Sequence, residues 1–421
     1  MAEYTARNKY LQKAIDAMHD GEIKVITGPR RSGKSWLLKH LFYDYLISTG
    51  VQEDHIIVIS FDLDDENNQQ ELAEKDALKN YLYSQIQSPN EHYYIFLDEV
   101  QEVEGFEKVL NGLAAKENID VYVTGSNSKF LSSDINTIFR GRATEIRVYP
   151  FSFAEFCQNR TEPKSDLWKE YYTYGGMPGL LHQKTPQLKA AYLQRLWNKM
   201  YIDDVIERNN IKNRAALEAI VDALCSAVGS LTNPTRIQNI LQSVKKMKID
   251  DETINSYIGF LEHAFLFEGA TRFNMKGNKY FDSIRKYYAV DVGLRNARLN
   301  FRQQEPTHIM ENVIYTELRS RDYLVDVGLV ESREMHDGKQ QYIQYEVDFI
   351  ATDGIKKYYI QSAFSLADEE KRAQELKPLL KINDSFQKIV IVGDDIAPYT
   401  DDKGIRFVGL MDFLLEDGVL G

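Results

Sequence analysis

Only two cysteines, Cys157 and Cys225, occur in the 421 residues. That is too few for a disulfide framework, and their spacing is not that of a metal site, which suits a reducing compartment. No apolar run is long enough to span a bilayer and no charged-then-apolar leader is present, so the expectation is a soluble, cytoplasmic protein without a membrane partner. Low-complexity tracts, internal repeats and sustained heptads are also missing, which excludes solenoid and coiled-coil architectures. Positive charge is in short supply: 51 Lys and Arg against 63 Asp and Glu leave a net charge of -12. This argues against general adhesion to DNA or anionic membranes, while leaving room for a local basic surface. What is present is an ordinary globular mix, 43% hydrophobic and 27% charged, on a chain long enough for two or three domains.

Residues 28–35 read GPRRSGKS, a complete G-x-x-x-x-G-K-[ST] loop, and the apolar residues Ile23, Val25 and Ile26 run directly into it. Gly28 and Gly33 allow the backbone to curl until consecutive N–H groups point at phosphate oxygens. Gly28, Pro29, Arg30, Arg31, Ser32, Gly33, Lys34 and Ser35 therefore form the expected nucleotide cradle. Lys34 is expected to reach the β and γ phosphates and Ser35 to ligate the Mg ion that bridges them. Leu37, Leu38, Leu41, Phe42 and Tyr45 fall at helical spacing, so the loop opens a helix whose positive end faces the phosphates.

A second strand is expected at HIIVISF (55–61) and a third at YYIFLDE (93–99), which ends in two adjacent carboxylates. Asp98 is placed to hold the metal and Glu99 to orient and deprotonate the attacking water. A fourth strand, VYVT (121–124), leads into Gly125, Ser126, Asn127 and Ser128. Asn127, or Ser126 in its place, is expected to touch the γ-phosphate or the water, although turn chemistry alone also favours these residues. Arg140 and Arg142 flank a glycine. Either is a candidate arginine finger, in cis or across a subunit contact, against the plainer reading of a surface arginine paired with Glu145. Strands alternating with helices give a parallel α/β sheet with nucleotide at its carboxyl edge.

Farther on, Pro150-Phe151-Ser152-Phe153 breaks the pattern, and YGGMPGLL (174–181) looks like a shaped connection between helices. Helical patterns at 216–229, 236–244 and 251–263 are followed by a hairpin at 265–281 turning at Lys276, Gly277 and Asn278. Three helices and a hairpin make a winged helix. Arg272, Lys276, Lys279, Arg285 and Lys286 stand against a single acid, Asp282. Such a wing could contact DNA phosphates, or pack as a lid with its charges solvated.

GPRRSGKS, FLDEVQ (96–101), VTGSNS (123–128), YPFSFAEF (149–156), YGGMPGLL and KYYAVDVGLRNA (286–297) together resemble prokaryotic AAA+ superfamily ATPases. In these a P-loop domain is joined through a winged helix to a C-terminal domain related to restriction endonucleases. The resemblance implies an AAA+ ATPase domain at 1–148, a helical extension at 149–212, a winged helix at 213–297 and a nuclease-like α/β domain at 298–421. It also makes ATP the preferred nucleotide; no guanine-type Asn-Lys-x-Asp element is evident. A PD-(D/E)xK centre needs an acid on a helix, an Asp on a strand and an acid-x-Lys on the next strand. Glu311 and Asp348 fit the first two positions, but KYYIQSAF (357–364) puts Gln361 and Ala363 at the last two. The fold is therefore expected without the cleavage chemistry, and no spacing makes Glu346 or Lys356 a substitute.

The sequence thus reads as a Mg-dependent ATPase that couples hydrolysis to conformational change and recognises a partner, DNA or protein, with a homo-oligomer required if the finger acts in trans. The rival is a slow nucleotide-gated interaction switch. An ATP-dependent nuclease is opposed by Gln361 and Ala363.

Overall fold

The computed structural model describes residues 4–62, 65, 67–125, 138–139, 141–277, 279–336 and 339–420. The chain divides into two compact units, 1–150 with 263–265, and 151–262 with 266–421.

In the first unit β1 (Ile23–Thr27), β2 (Ile56–Ser60), β3 (Tyr93–Asp98), β4 (Ile119–Thr124) and β5 (Ala143–Arg147) form one sheet in the order β2-β3-β4-β1-β5, parallel throughout. Both faces are covered, and the central β3 and β4 are buried along their whole length, as parallel strands between helices require. Tyr93, Ile95 and Leu97 pack with the helices α3 (Lys75–Gln85) and α4 (Phe106–Leu113). Tyr94 and Phe96 face the opposite layer, formed by α1 (Asn8–Asp16) and α2, the continuous helix 34–48. This is the parallel sheet of a P-loop nucleotide-binding fold. Because every strand runs the same way, the loop after β1 and the tips of β3 and β4 meet at one edge.

The second unit begins with helices α5 (Lys164–Tyr174), α6 (186–208), α7 (Arg214–Ser226), α8 (Pro234–Val244) and α9 (Asp251–His263). Its nine-stranded sheet comprises β6 (Leu231–Thr232), β7 (Phe267–Asn274), β8 (Lys279–Ala289), β9 (Leu324–His336), β10 (Lys339–Thr352), β11 (Lys357–Ala363), β12 (Gln387–Val392), β13 (Tyr399–Thr400) and β14 (Ile405–Gly409), in the order β13-β14-β12-β11-β10-β9-β7-β8-β6. Helices α10 (Val292–Arg298), α11 (Pro306–Ser320), α12 (Glu369–Leu380) and α13 (Leu410–Leu415) complete it.

The hairpin expected at 265–281 is longer. Its second strand continues to Ala289, with Ala289 opposite Phe267, because the buried Tyr287 and Tyr288 extend the apolar pattern. Lys276 and Gly277 turn under the Asn274 side chain, whose Oδ1 accepts both backbone N–H groups; Asn278 lies outside the described residues. β7 also runs parallel to β9, Phe273 beside Gly328. Segments 213–297 and 298–421 therefore share one sheet and one core.

The 174–181 motif has a structural use within this unit. Asp291 caps α10 by accepting from Leu294 N–H at 2.8 Å, and its other oxygen accepts from Gly176 N–H at 2.8 Å. A Cβ on Gly175, whose φ is 76°, would lie 2.3 Å from Asp291 Oδ1, so only glycine lets the chain pass this carboxylate.

Candidate nucleotide site

The P-loop follows β1 and opens α2. Gly28 has φ 137°, and a Cβ there would come 2.1 Å from the Val148 carbonyl oxygen. Gly33 has φ 97° and Arg31 φ 60°, so the curl expected of the loop is present. The first-turn N–H groups of α2 have no intrahelical acceptors. Ser32 Oγ is buried, with no hydrogen-bond partner among the described residues. Its orphaned oxygen and the open helix start fit a chain of phosphates.

Lys34 Nζ donates to the Gly28 and Pro29 carbonyls at 3.1 and 3.0 Å, curling back over the loop. Burial pushes its pKa down, opposed by Glu99 and Asp98, while the nearby Arg30 adds to the lowering. Ser35 Oγ donates to Asp98 Oδ1 at 2.7 Å, which joins the two groups that could hold a divalent cation. An oxygen pair of this kind, hydroxyl and carboxylate, suits Mg.

Three further side chains here escaped the sequence reading. Thr124, at the tip of β4, donates from Oγ1 to Asp98 Oδ1 at 2.5 Å and accepts from Glu99 N–H at 2.9 Å. Lys39, one turn along α2, lies 2.7 Å from Asp98 Oδ2 and 2.7 Å from Asp65 Oδ2. Burial alone would lower the Lys39 pKa, but Asp98 and Asp65 together raise it. Arg7 donates to the Ser32 carbonyl at 2.7 Å and to the Tyr149 carbonyl at 2.7 Å, so α1 braces the loop from its N-terminal end. The terminal Thr of VYVT was the available signal for Thr124. Nothing local marks Arg7 or Lys39.

Asp98 and Glu99 are adjacent but do not share one strand conformation. β3 ends at Asp98, and Glu99 takes a left-handed conformation, φ 54° and ψ 45°, which is uncommon for a residue with a side chain. Its buried carboxylate accepts from Gln101 Nε2, and its charge is the largest one acting on Lys34. Asn127 and Arg140 lie outside the described residues, as do Ser126 and Ser128. Arg142 is exposed and precedes β5. Register pairs Thr27, which enters the loop, with Arg147 rather than with the start of β5, so Arg142, five residues earlier, sits about 17 Å away along the strand, at the opposite sheet edge. It is not a finger for its own chain's nucleotide. Glu145 accepts from Thr27 Oγ1 at 2.6 Å.

A second cluster lies in the other unit. Lys286 Nζ is 2.8 Å from Glu311, 2.7 Å from Glu346 and 3.4 Å from Asp348. Lys286 is only 3% exposed, which corrects its placement on a phosphate-contacting wing: β8 turns it into the core. Burial alone would lower its pKa, but Glu311, Asp348 and Glu346 raise it. Burial pushes the Glu311 carboxyl up to about 7 against the pull of Lys286. Tyr288 Oη donates to Glu311 at 2.7 Å, and Asp348 accepts from Ser362 N–H at 2.9 Å. Glu311 and Asp348 thus meet, as the sequence reading had them, and Glu346 joins them. Gln361 instead donates to Glu375 on α12 at 3.0 Å, Ala363 is buried among apolar side chains, and Lys356 is exposed in the β10–β11 turn. An ammonium, not an acid-x-Lys pair, completes the carboxylates.

No helix among the described residues is long and apolar enough to cross a membrane. Residues 20–157 match the family described as an AAA domain, and residues 165–305 match a domain of unknown function, DUF8612. An uncharacterised protein of Methanocaldococcus jannaschii is 28% identical over 417 residues, covering 93% of this chain and 87% of its own. The Walker-type ATPase of Pyrococcus abyssi superposes with a TM-score of 0.50 at 16% identity, covering 70% of this chain and 96% of that one; this shows a shared fold. An uncharacterised protein of Haemophilus influenzae is 33% identical over 418 residues, 98% of each chain. With that identity along nearly its whole length, the chain belongs to the same family as the Haemophilus influenzae protein, and its first third is a nucleotide-binding AAA domain.

Proposed function

We propose that the protein is a Mg-dependent ATPase whose hydrolysis cycle drives a conformational change for a partner. The observation that carries this reading is the Ser35–Asp98 bond at 2.7 Å with Glu99 beside it. One carboxylate is engaged with the metal-ligating hydroxyl and the next is turned away as a general base. When bound, Mg would offset charge on the β and γ phosphates. Gly28 to Ser35 grip the phosphates, Lys34 neutralises them, and Glu99 orients and deprotonates a water. Asn127 is the residue proposed to hold that water from the β4 side. Arg142 acts in this reading only across a homo-oligomer contact, and Arg140 either in cis or across such a contact.

The partner proposed is DNA. Helices α7, α8 and α9 with the β7–β8 hairpin follow the element order of a winged helix. Lys245, Lys246 and Lys248 before α9, and Lys276 and Lys279 at the hairpin tip, are exposed, and phosphate contacts need basic groups of this kind. The rest of the same sheet, β9 to β14, is read as a nuclease-like fold whose centre is held shut by Lys286 and does not cleave.

A slow nucleotide-gated switch is the second reading. The Gln101–Glu99 hydrogen bond supports it, because the amide donor occupies an oxygen that would otherwise accept from the attacking water.

The deciding experiment is steady-state ATP hydrolysis by wild type and Glu99→Gln, each with and without single- and double-stranded DNA. Turnover stimulated by DNA and lost in the variant supports the first reading. Turnover indifferent to DNA moves the partner to protein, and absence of turnover favours the switch.

A further inference from the structure

The opposite edge of the AAA sheet carries a cluster that the nucleotide chemistry does not use. His19 follows α1, His92 precedes β3, and Asp120 is the second residue of β4. One ligand atom from each lies within 4.8 Å of the other two. The His19 and His92 rings meet edge to face at 4.3 Å. Among the described residues, buried His92 Nε2 has no hydrogen-bond partner, a condition a folded protein seldom tolerates.

Charge at the site also leaves room for a cation. Lys24 Nζ, fully buried, is 2.6 Å from Asp120 Oδ1 and 2.6 Å from Asp20 Oδ1. One ammonium is therefore shared by two carboxylates, and a net negative charge remains. Asp120 Oδ2 accepts only the His19 backbone N–H, at 2.9 Å, among the contacts of that oxygen given for the described residues; a carboxylate oxygen has a second lone pair for a metal. Burial, and the His19 ring beside it, lower the His92 pKa and keep its imidazole in the ligating form. The Tyr94 hydroxyl stands 3.3 Å from His19 Nε2 and can orient that ring.

We propose that His19, His92 and Asp120 form a site for a borderline divalent transition metal, of the zinc or cobalt type. Two imidazoles and one carboxylate select such ions over Mg or Ca, which prefer all-oxygen shells. A bound ion would tie the α1–β1 connection to β3 and β4. The other end of α1 carries Arg7, which holds the P-loop through the Ser32 carbonyl. The metal would therefore fix the brace of the nucleotide loop from the far edge of the sheet.

The test is titration of the full-length, EDTA-stripped protein with Co2+, read by visible absorption, followed by displacement with Zn2+. The expected result is one equivalent per chain, undisturbed by excess Mg and retained in Lys34→Ala, which separates it from the phosphate-loop cation. His92→Gln should weaken binding by at least about tenfold. His19→Asn should do the same without a folding defect, since His19 is exposed with φ 61° and asparagine tolerates that conformation. Absence of stoichiometric Co2+ binding in wild type, or binding as tight as wild type in both histidine variants, would overturn the proposal.

Discussion

Ser35 Oγ and Asp98 Oδ1 are 2.7 Å apart, which joins the first turn of α2 to the last residue of β3 across the carboxyl edge of the sheet. Asp98 is also the acceptor for Thr124 and an ion-pair partner of Lys39. It therefore has two loads, one chemical and one structural, and substitutions separate them.

Ser35→Ala removes a cation ligand but leaves Asp98 paired with Lys39. The expected outcome is normal folding, with the Mg concentration for half-maximal hydrolysis raised at least about tenfold. Asp98→Ala also strips Lys39 of a partner in a half-buried place. It should lose hydrolysis and, unlike Ser35→Ala, shift the thermal midpoint downward. Equal thermal stability in the two variants would remove the structural half of the argument.

Glu99→Gln keeps the shape of the site and removes the base. Hydrolysis is expected to fall by about 10²- to 10⁴-fold while ATP affinity, measured by fluorescent-analogue displacement, is retained. Gln101→Ala works in the opposite direction: without the amide donor, that Glu99 oxygen is open to a water, and basal turnover should rise. Unchanged turnover in Gln101→Ala would show that the hydrogen bond does not restrain the carboxylate.

The candidate nucleotide site was legible in the sequence where its pattern is local. GPRRSGKS fixes Lys34 and Ser35 by spacing alone, and an apolar strand ending in Asp98-Glu99 supplies the matching acids at a tip the parallel topology must bring nearby. Arg7 and Lys39 were not legible, because their partners, Ser32 and Asp98, are 25 and 59 positions away and are chosen by packing. Lys286 is the sharpest case. Among Arg272, Lys276, Lys279 and Arg285 it reads as one more basic wing residue, yet strand alternation turns it inward, and β7 pairing with β9 brings Asp348 and Glu346 to it. That pairing links segments 55 residues apart, which no local pattern encodes.

Lys286→Met tests this placement. It leaves Glu311, Glu346 and Asp348 facing one another without a cation, and breaking a buried pair in this way costs about 3–5 kcal/mol. The expected readout is a lower urea midpoint for the transition followed by Trp168 and Trp197, both in the second unit. An exposed wing lysine would give no measurable shift, and that outcome would contradict the buried cluster.

Asp291 gives a pH signature in the same unit. It accepts from Gly176 and Leu294 N–H groups, but burial dominates and pushes its carboxyl from 3.8 up to about 6. Between these values the native state keeps a proton that the unfolded chain has released. Stability therefore falls as pH rises from about 4 to about 6, by on the order of 3 kcal/mol if this group acts alone. Asp291→Asn cannot titrate, so it should lack this component while being destabilised below pH 4, where its amide presents N–H to a backbone donor. Urea unfolding of both proteins from pH 4 to 6.5 checks the sign: wild type should lose stability relative to the variant as pH increases. Parallel curves would mean that Asp291 is ionised throughout and that its two backbone donors outweigh the cost of burying its charge.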